Sequence, residues 1–242
     1  MPDSSNEVTE VARATQELAK TAQQAIGATE QLGTFVARFI AGSLEQAAGI
    51  VEDKLRYMRW ERQCRLMMKA REYLGNKGLD TPTRPLPMKL AIPLLQAATL
   101  EDDDGLQDIW AKLLVNFATE NSGISPKRAF IDILESISPL EAKLIALIYE
   151  LPYEQMQHRG VGTQQLPLQA NLLPEDKGEE LRERLKIEPI EEVKFALANL
   201  DRLGVLSVAR SMGGGQLFGF VNPTLLGKAF FDACSIREPS AS

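Results

Sequence analysis

The sequence predicts a mainly α-helical protein with one small β-hairpin near its C-terminal end. Three observations support this prediction: apolar residues recur at helical spacing in several segments, helix-capping residues precede some of them, and two short strand-like segments flank a glycine-rich turn. Of the 242 residues, 44% are hydrophobic and 25% are charged. This balance is typical of a folded protein with a substantial core.

The N-terminal part is predicted to be helical and to act in assembly rather than in folding. Residues 1–32 form a first unit, a weakly amphipathic helix that needs a partner to be stable. Residues 33–137 form a second, helical unit, which begins with the apolar, glycine-punctuated segment from Gly33 to Val51. Its glycines permit close helix contacts. The predicted assembly segment contains Gly33, Phe35, Phe39, Gly42 and Gly49.

A helix with two contrasting faces is predicted from Ile50 to Leu74. One side is apolar and contains Tyr57, Trp60, Cys64, Met67, Met68 and Leu74. The opposite side is basic and contains Arg59, Arg62, Arg65 and Lys69. Two interpretations stay open for the basic side: a solvated face, as surface helices usually have, or a binding face for an acidic partner.

Two more helices are predicted in the middle of the chain. The first, Met88–Ala98, is almost entirely apolar and contains Pro93, which should kink it. A capping box at Thr99–Asp102 should start the second. The predicted buried face of this second helix contains Leu106, Ile109, Trp110, Leu113, Leu114 and Phe117.

A third unit is predicted at residues 138–235. After a short helix near residues 126–136, the string Ser138–Glu141 has the pattern of a capping box and should start a helix that ends near Leu151. Pro152–Pro174 is polar and long, and is predicted to be a flexible loop. Two further helices are predicted at 175–186 and 189–203.

The end of the third unit has the pattern of a hairpin followed by a helix. Residues 205–210 and 216–221 read as short strands around a turn whose glycines tolerate positive φ. Asn222 and Pro223 should cap a last helix that ends near Cys234, and residues 236–242 are predicted to be a disordered tail. Three helices, a hairpin and a helix are the element order of a winged-helix-like module.

Charge and cysteine content restrict the location and the class of partner. The net charge of −6 provides no overall attraction to nucleic acid or anionic lipid. Cys64 and Cys234 are the only cysteines, so they are expected to be free thiols in a reducing compartment. The first residues are acidic and polar, where a secretory signal would be basic and then apolar. A cytoplasmic location is therefore expected, with membrane-peripheral attachment as the less favoured alternative.

The sequence predicts no catalytic, cofactor-binding or metal site. His158 is the only histidine and has no nucleophile near it in the sequence. The acidic run Glu101–Asp104 lacks the alternating spacing of a calcium loop and suits a helix N-terminus, so metal binding there is the lesser alternative. Gly213–Gly215 lacks the Lys-Ser or Lys-Thr pair of a phosphate loop. We therefore expect a protein that is not an enzyme.

Several residue strings resemble the abortive-infection alpha family. They are Gly33–Ile40, Leu44–Gln46, Glu52–Leu55, Tyr57–Arg62, Arg84–Pro87, Ala97–Asp103, Leu106–Leu114 and Ser138–Lys143. The resemblance implies a bacterial or mobile-element protein associated with defence against bacteriophage. It implies no known reaction.

The favoured hypothesis is therefore an anti-phage protein that acts through protein contacts or self-assembly, with a second copy or a phage component as candidate partners. Acidic residues outnumber basic ones in the helix 188–203, which argues against DNA binding. Two alternatives stay open. One is a DNA-binding regulator, supported by Arg210 on the hairpin, and the other is a membrane-active effector that uses Gly33–Val51.

Overall fold

The computed structural model describes residues 31–40, 60–175 and 185–236, together with 178, 179 and 183. In these parts of the chain the protein is mostly helical, with a small antiparallel sheet near the C-terminal end. The predicted fold class is therefore confirmed as mainly α. The predicted division into units is not tested and stays a prediction.

The described residues contain the following helices in chain order. Residues 31–39 are helical. The longer and later helices are α1 (Trp60–Asn76), α2 (Met88–Leu100), α3 (Asp104–Phe117), α4 (Arg128–Glu135), α5 (Pro139–Tyr149), α6 (Tyr153–Arg159), α7 (Glu191–Arg202) and α8 (Leu225–Ala233). A turn of 3₁₀ helix, Glu120–Ser122, follows α3.

Four short strands form one antiparallel sheet. They are β1 (Val161–Gly162), β2 (Asn171–Leu172), β3 (Leu206–Arg210) and β4 (Gln216–Pro223), in the spatial order β2–β1–β4–β3. The predicted hairpin is confirmed as β3 and β4. Residues Asn222 and Pro223 belong to β4, and the N-cap of α8 is Thr224, whose hydroxyl accepts from Gly227 N.

One segment that was predicted to be a loop is structured. Pro152–Pro174 contains α6, β1 and β2, so the prediction of a long flexible loop is wrong. Val161 of β1 pairs with Leu172 on one side and with Val221 of β4 on the other. Strands of two residues are too short to show alternation in the sequence, and this pairing with a distant strand is what stabilises them.

The two predicted capping boxes have different outcomes. At α5 the box is confirmed, since Ser138 Oγ accepts from Glu141 N and the Glu141 carboxylate accepts from Ser138 N at 2.5 Å. At α3 the box is wrong, because Asp103 is the N-cap and accepts from Leu106 N at 2.8 Å. Thr99 lies inside α2, where its hydroxyl donates to the carbonyl of Leu95. The apolar helix α2 continues past the predicted boundary, so the next helix starts later.

The core is built around α3. Trp110 is 1% exposed and Phe117 is fully buried, as the apolar pattern predicts. The face of α1 that packs on α3 differs from the predicted one: Met68 is 63% exposed, whereas Leu66 and Ala70 are fully buried. The inward face of α1 is thus rotated toward the side that carries its basic residues.

A closely packed junction joins α5, the start of β3 and α8. The hydroxyl of Tyr149 donates to the carbonyl oxygen of Val205 at 2.6 Å and accepts from Thr224 N at 3.0 Å. Gly227 lies against both groups, and a Cβ on this residue would be 2.0 Å from the Val205 carbonyl oxygen. The junction therefore requires glycine on the inward side of α8.

Candidate protein-interaction site

The basic residues predicted to bind a partner are paired within the chain wherever the structure describes them. The guanidinium group of Arg62 contacts the Asp104 carboxylate, and Nη2 of Arg65 donates to the backbone oxygen of the same residue at 3.0 Å. Lys69 Nζ lies 3.2 Å from the Glu72 carboxylate. Arg59 lies outside the described residues. The two arginines join α1 to the start of α3, and Lys69 pairs within α1. The role of these charges toward a partner stays a prediction.

The residues of the predicted assembly segment lie partly in the core. Phe35 is 3% exposed and Phe39 is 1% exposed, with their ring centroids 4.8 Å apart. The carbonyl oxygen of Phe39 accepts from Leu86 N at 2.8 Å. Gly33 is also buried, whereas Gly42 and Gly49 lie outside the described residues. The described part of this segment therefore contributes to the chain's own core, and a role in assembly stays a prediction.

A second ionic cluster links the C-terminal part of α1 to α3, one turn after Asp104. Asp108 accepts from the Tyr73 hydroxyl, and its Oδ2 lies 2.9 Å from Lys112 Nζ. Burial raises the pKa of Asp108, but the hydrogen bonds from Tyr73 and Lys112 outweigh burial and bring the pKa below its ordinary value. Burial also raises the pKa of Tyr73. Asp108 is thus held ionised and bonded, which suits a structural role better than proton transfer.

The outward face of α7 carries an exposed aromatic ring among acidic residues. The inward face of this helix is apolar and contains Val193, Ala196, Leu197 and Leu200. Phe195 lies off that stripe and is 80% exposed. Ile187 and Ile190, just before the helix, are also exposed. The exposed residues Glu191 and Glu192 begin the helix beside them. We refer to Ile187, Ile190, Glu191, Glu192 and Phe195 as the α7 face.

The cations next to the α7 face are already paired. Lys194 Nζ lies 2.5 Å from the Glu191 carboxylate and 3.4 Å from that of Glu188. A hydrogen bond from Phe218 N, which outweighs a small effect of burial, lowers the pKa of Glu188, so this acid is ionised at neutral pH.

On the hairpin, Arg210 is held by α7. Its Nη2 lies 3.1 Å from Asp201 Oδ2, and the same carboxylate accepts from Val208 N and from Gln216 Nε2. The guanidinium group of Arg202 donates to Asn199 Oδ1. These contacts hold the hairpin against α7, and the Asp201 carboxylate neutralises the charge of Arg210.

Sequence reasoning missed the α7 face, although one signal was available. Phe195 is the large aromatic residue on the polar side of an amphipathic helix, and such a residue has no role in the core. The exposure of Ile187 and Ile190 is a tertiary feature that no local pattern shows. Just before them, the backbone oxygen of Leu185 lies against Gly219 of β4.

His158 lies exposed on α6. Within the described ranges, no group of three or more His, Cys, Asp or Glu side chains is placed to hold a metal ion. In the same part of the chain, no helix has the length and apolar character needed to cross a membrane.

Comparison with known proteins identifies the family. The profile of the family described as abortive infection alpha matches residues 61–234, from α1 through α8. The match extends the resemblance seen in the sequence through the hairpin. No curated protein and no solved structure gives a significant match. Because the profile covers well over half of the sequence, this chain belongs to the abortive infection alpha family.

Proposed function

We propose that this protein takes part in defence against bacteriophage through contact with another protein, without chemistry of its own. Membership of the abortive infection alpha family supports the role in defence. The observation that supports this mode of action is the exposed ring of Phe195, which is 80% accessible on a helix whose Val193, Leu197 and Leu200 are buried. Exposed aromatic residues are typical anchors of protein interfaces.

We propose further that the C-terminal part is a winged-helix-like module. Its sheet has β4 between β1 and β3, and α7 immediately precedes the hairpin. This is the arrangement in which a winged helix presents a helix and a wing on one side. In DNA-binding members, free lysines and arginines contact the phosphates. Here Lys194 and Arg210 are already paired, which favours a protein as the partner of this surface.

The charge of the α7 face indicates the chemistry of the partner. Glu191 and Glu192 lie one turn before Phe195 on α7, and Glu188 lies just before the helix. Lys194 balances only part of their charge. Two copies of this face would repel each other, so contact between identical faces is disfavoured. The partner should present an apolar pocket with lysines or arginines at its rim, either on another protein or on a different surface of a second copy.

Substitution of Phe195 tests the proposal. Phe195→Ala is compared with Leu225→Ala, because Leu225 is also 80% exposed but lies on α8. Both variants should keep the melting temperature of the unaltered chain, since neither side chain is buried. In a plaque assay with a phage that the unaltered chain restricts, Phe195→Ala should lose protection and Leu225→Ala should keep it.

Two results would count against this function. A folded Phe195→Ala variant that protects as well as the unaltered chain would remove the α7 face from the mechanism. Salt-dependent binding of the unaltered chain to duplex DNA, weakened by Arg210→Ala, would favour the DNA-binding alternative instead.

A further inference from the structure

A cavity of about 490 Å³ lies where α1, α3, α5 and α8 meet. Its walls are mainly apolar. The side chains that shape it include Ile109, Ala142, Ile145, Ala146, Phe230 and Phe231. Its volume lies within the range of about 300–1,000 Å³ that is usual for small-molecule sites. The cavity also joins two parts of the fold, since α1 and α3 precede the hairpin-bearing region and α5 and α8 belong to it.

The C-terminal ends of three helices lie at this cavity. α1 ends at Asn76, the C-cap of α5 is Glu150, and the C-cap of α8 is Cys234. All three residues line the cavity. The C-terminal end of a helix carries a partial negative charge. In these three helices, described to their ends, no basic residue lies in the last turn. Lys77 follows α1 but is not part of the cavity wall.

The charged side chains of the cavity strengthen this negative potential. Lys112 is the one cationic residue among the described lining residues, and Asp108 holds its Nζ at 2.9 Å. Burial raises the pKa of the Cys234 thiol, so that group is neutral. Glu150 is exposed at the rim and has no ion-pair partner among the described residues. The remaining charge of the cavity is therefore negative.

From these observations we propose that the cavity binds a small amphipathic cation. The apolar or aromatic body of the ligand contacts the wall formed by Ala142, Ala146 and Phe230. Its amine or guanidinium group lies toward Glu150 and the helix ends. Phe231, whose ring stacks on Tyr149 with centroids 5.9 Å apart, offers a fixed aromatic surface to such a cation.

Binding at this place would stabilise the contact between the two parts of the fold. Nδ2 of Asn116 on α3 already donates to the carbonyl oxygens of Ala233 and Ser235, both at 2.8 Å, and thereby fixes the end of α8. A ligand that touches α1, α3, α5 and α8 together favours the state in which these helices are packed. The melting temperature should therefore rise with ligand concentration.

The test uses the full chain and two probes of similar shape and opposite charge, 2-phenylethylammonium and 3-phenylpropionate. Binding is followed by thermal unfolding and by saturation-transfer NMR of the probes. The cation should bind and raise the melting temperature, and the anion should do neither. Glu150→Gln should weaken binding of the cation about two- to fivefold, the effect of one exposed charge. Glu154→Gln, which removes an exposed carboxylate of α6 that does not line the cavity, should leave binding unchanged.

A variant that fills the cavity separates this site from the rest of the surface. Ala146→Leu places extra volume in the cavity and should abolish binding while the chain stays folded by circular dichroism. Equal binding of the two probes, or binding unchanged by Glu150→Gln, would overturn the charge argument. Absence of binding by the unaltered chain, or full binding by folded Ala146→Leu, would overturn the site itself.

Discussion

Replacing Gly227 with alanine tests the packing of α8 on α5 at one of the closest contacts among the described residues. The added Cβ would lie 2.0 Å from the carbonyl oxygen of Val205 and 2.1 Å from Tyr149 Oη. A separation of less than 3.0 Å is essentially never observed for a Cβ atom. Because one of the two obstacles is backbone, a change of side-chain rotamer cannot relieve the clash, and α8 must move away by about an ångström.

The expected cost follows from three contributions. Overpacking costs about 1–3 kcal/mol. Movement of α8 also weakens the hydrogen bonds of Tyr149 to Val205 and Thr224, each worth about 1 kcal/mol. Alanine is favoured over glycine in a helix by about 1 kcal/mol, which offsets part of the loss. Gly227→Ala should therefore reduce the free energy of unfolding by about 2–4 kcal/mol.

Urea unfolding of the full chain measures this change in the free energy of unfolding. It is followed by circular dichroism at about 222 nm, where helices give a minimum. The midpoint should fall while the slope of the transition stays the same. Gly75→Ala is the matched control, because Gly75 lies in α1, has no positive φ and has no atom within 4 Å of the added Cβ. The control should be as stable as the unaltered chain or slightly more stable. If Gly227→Ala matched the control, the close packing of α8 on α5 would be refuted.

Three further predictions concern the core, the pH dependence and the ion pairs. Trp110→Ala should reduce the free energy of unfolding by about 3–5 kcal/mol, and an unchanged urea midpoint would contradict its place in the core. Burial raises the pKa of Tyr149 to about 12, so its contribution to stability is complete below about pH 10 and is lost as the pH rises toward 12. Urea midpoints across that range should fall less steeply for Tyr149→Phe than for the unaltered chain. Reversal of both charges at Arg62 and Arg65 should lower the melting temperature, and Asp104→Arg in the same chain should restore part of it. An unchanged melting temperature after the reversal would show that these ion pairs do not hold α1 on α3.

Features that depend on neighbouring residues could be predicted from the sequence. The capping box at Ser138 and Glu141 is confirmed because all its hydrogen bonds lie within four residues. The hairpin of β3 and β4 is confirmed because its turn residues lie between two strands that are adjacent in the chain. Trp110 is buried as predicted, since the apolar period of α3 extends over nearly four turns.

Features that depend on distant residues could not be predicted in this way. The sequence leaves the basic residues of α1 open as a solvated face or a binding face, because the acid that pairs with Arg62 and Arg65 lies about 40 positions further along the chain. The apolar pattern predicts that Phe35 and Phe39 act in assembly rather than in folding. The structure buries both side chains in the core, so removal of residues 31–40 is expected to destabilise the fold. Local sequence shows that a residue is apolar or charged but not which distant group it meets.

The candidate sites show the same division between local and tertiary information. The sequence determined that α7 is amphipathic and acidic, whereas the packing of its inward face beside the hairpin decided that Phe195 is exposed. For the cavity, the sequence determined where α1, α5 and α8 end, because capping residues and turns act locally. Only the tertiary structure decided that these three ends meet at Asn76, Glu150 and Cys234. The physical reason is that helix formation follows from contacts within a few residues. The electrostatic field at a site, by contrast, is the sum over charged and dipolar groups that folding brings together from remote parts of the chain.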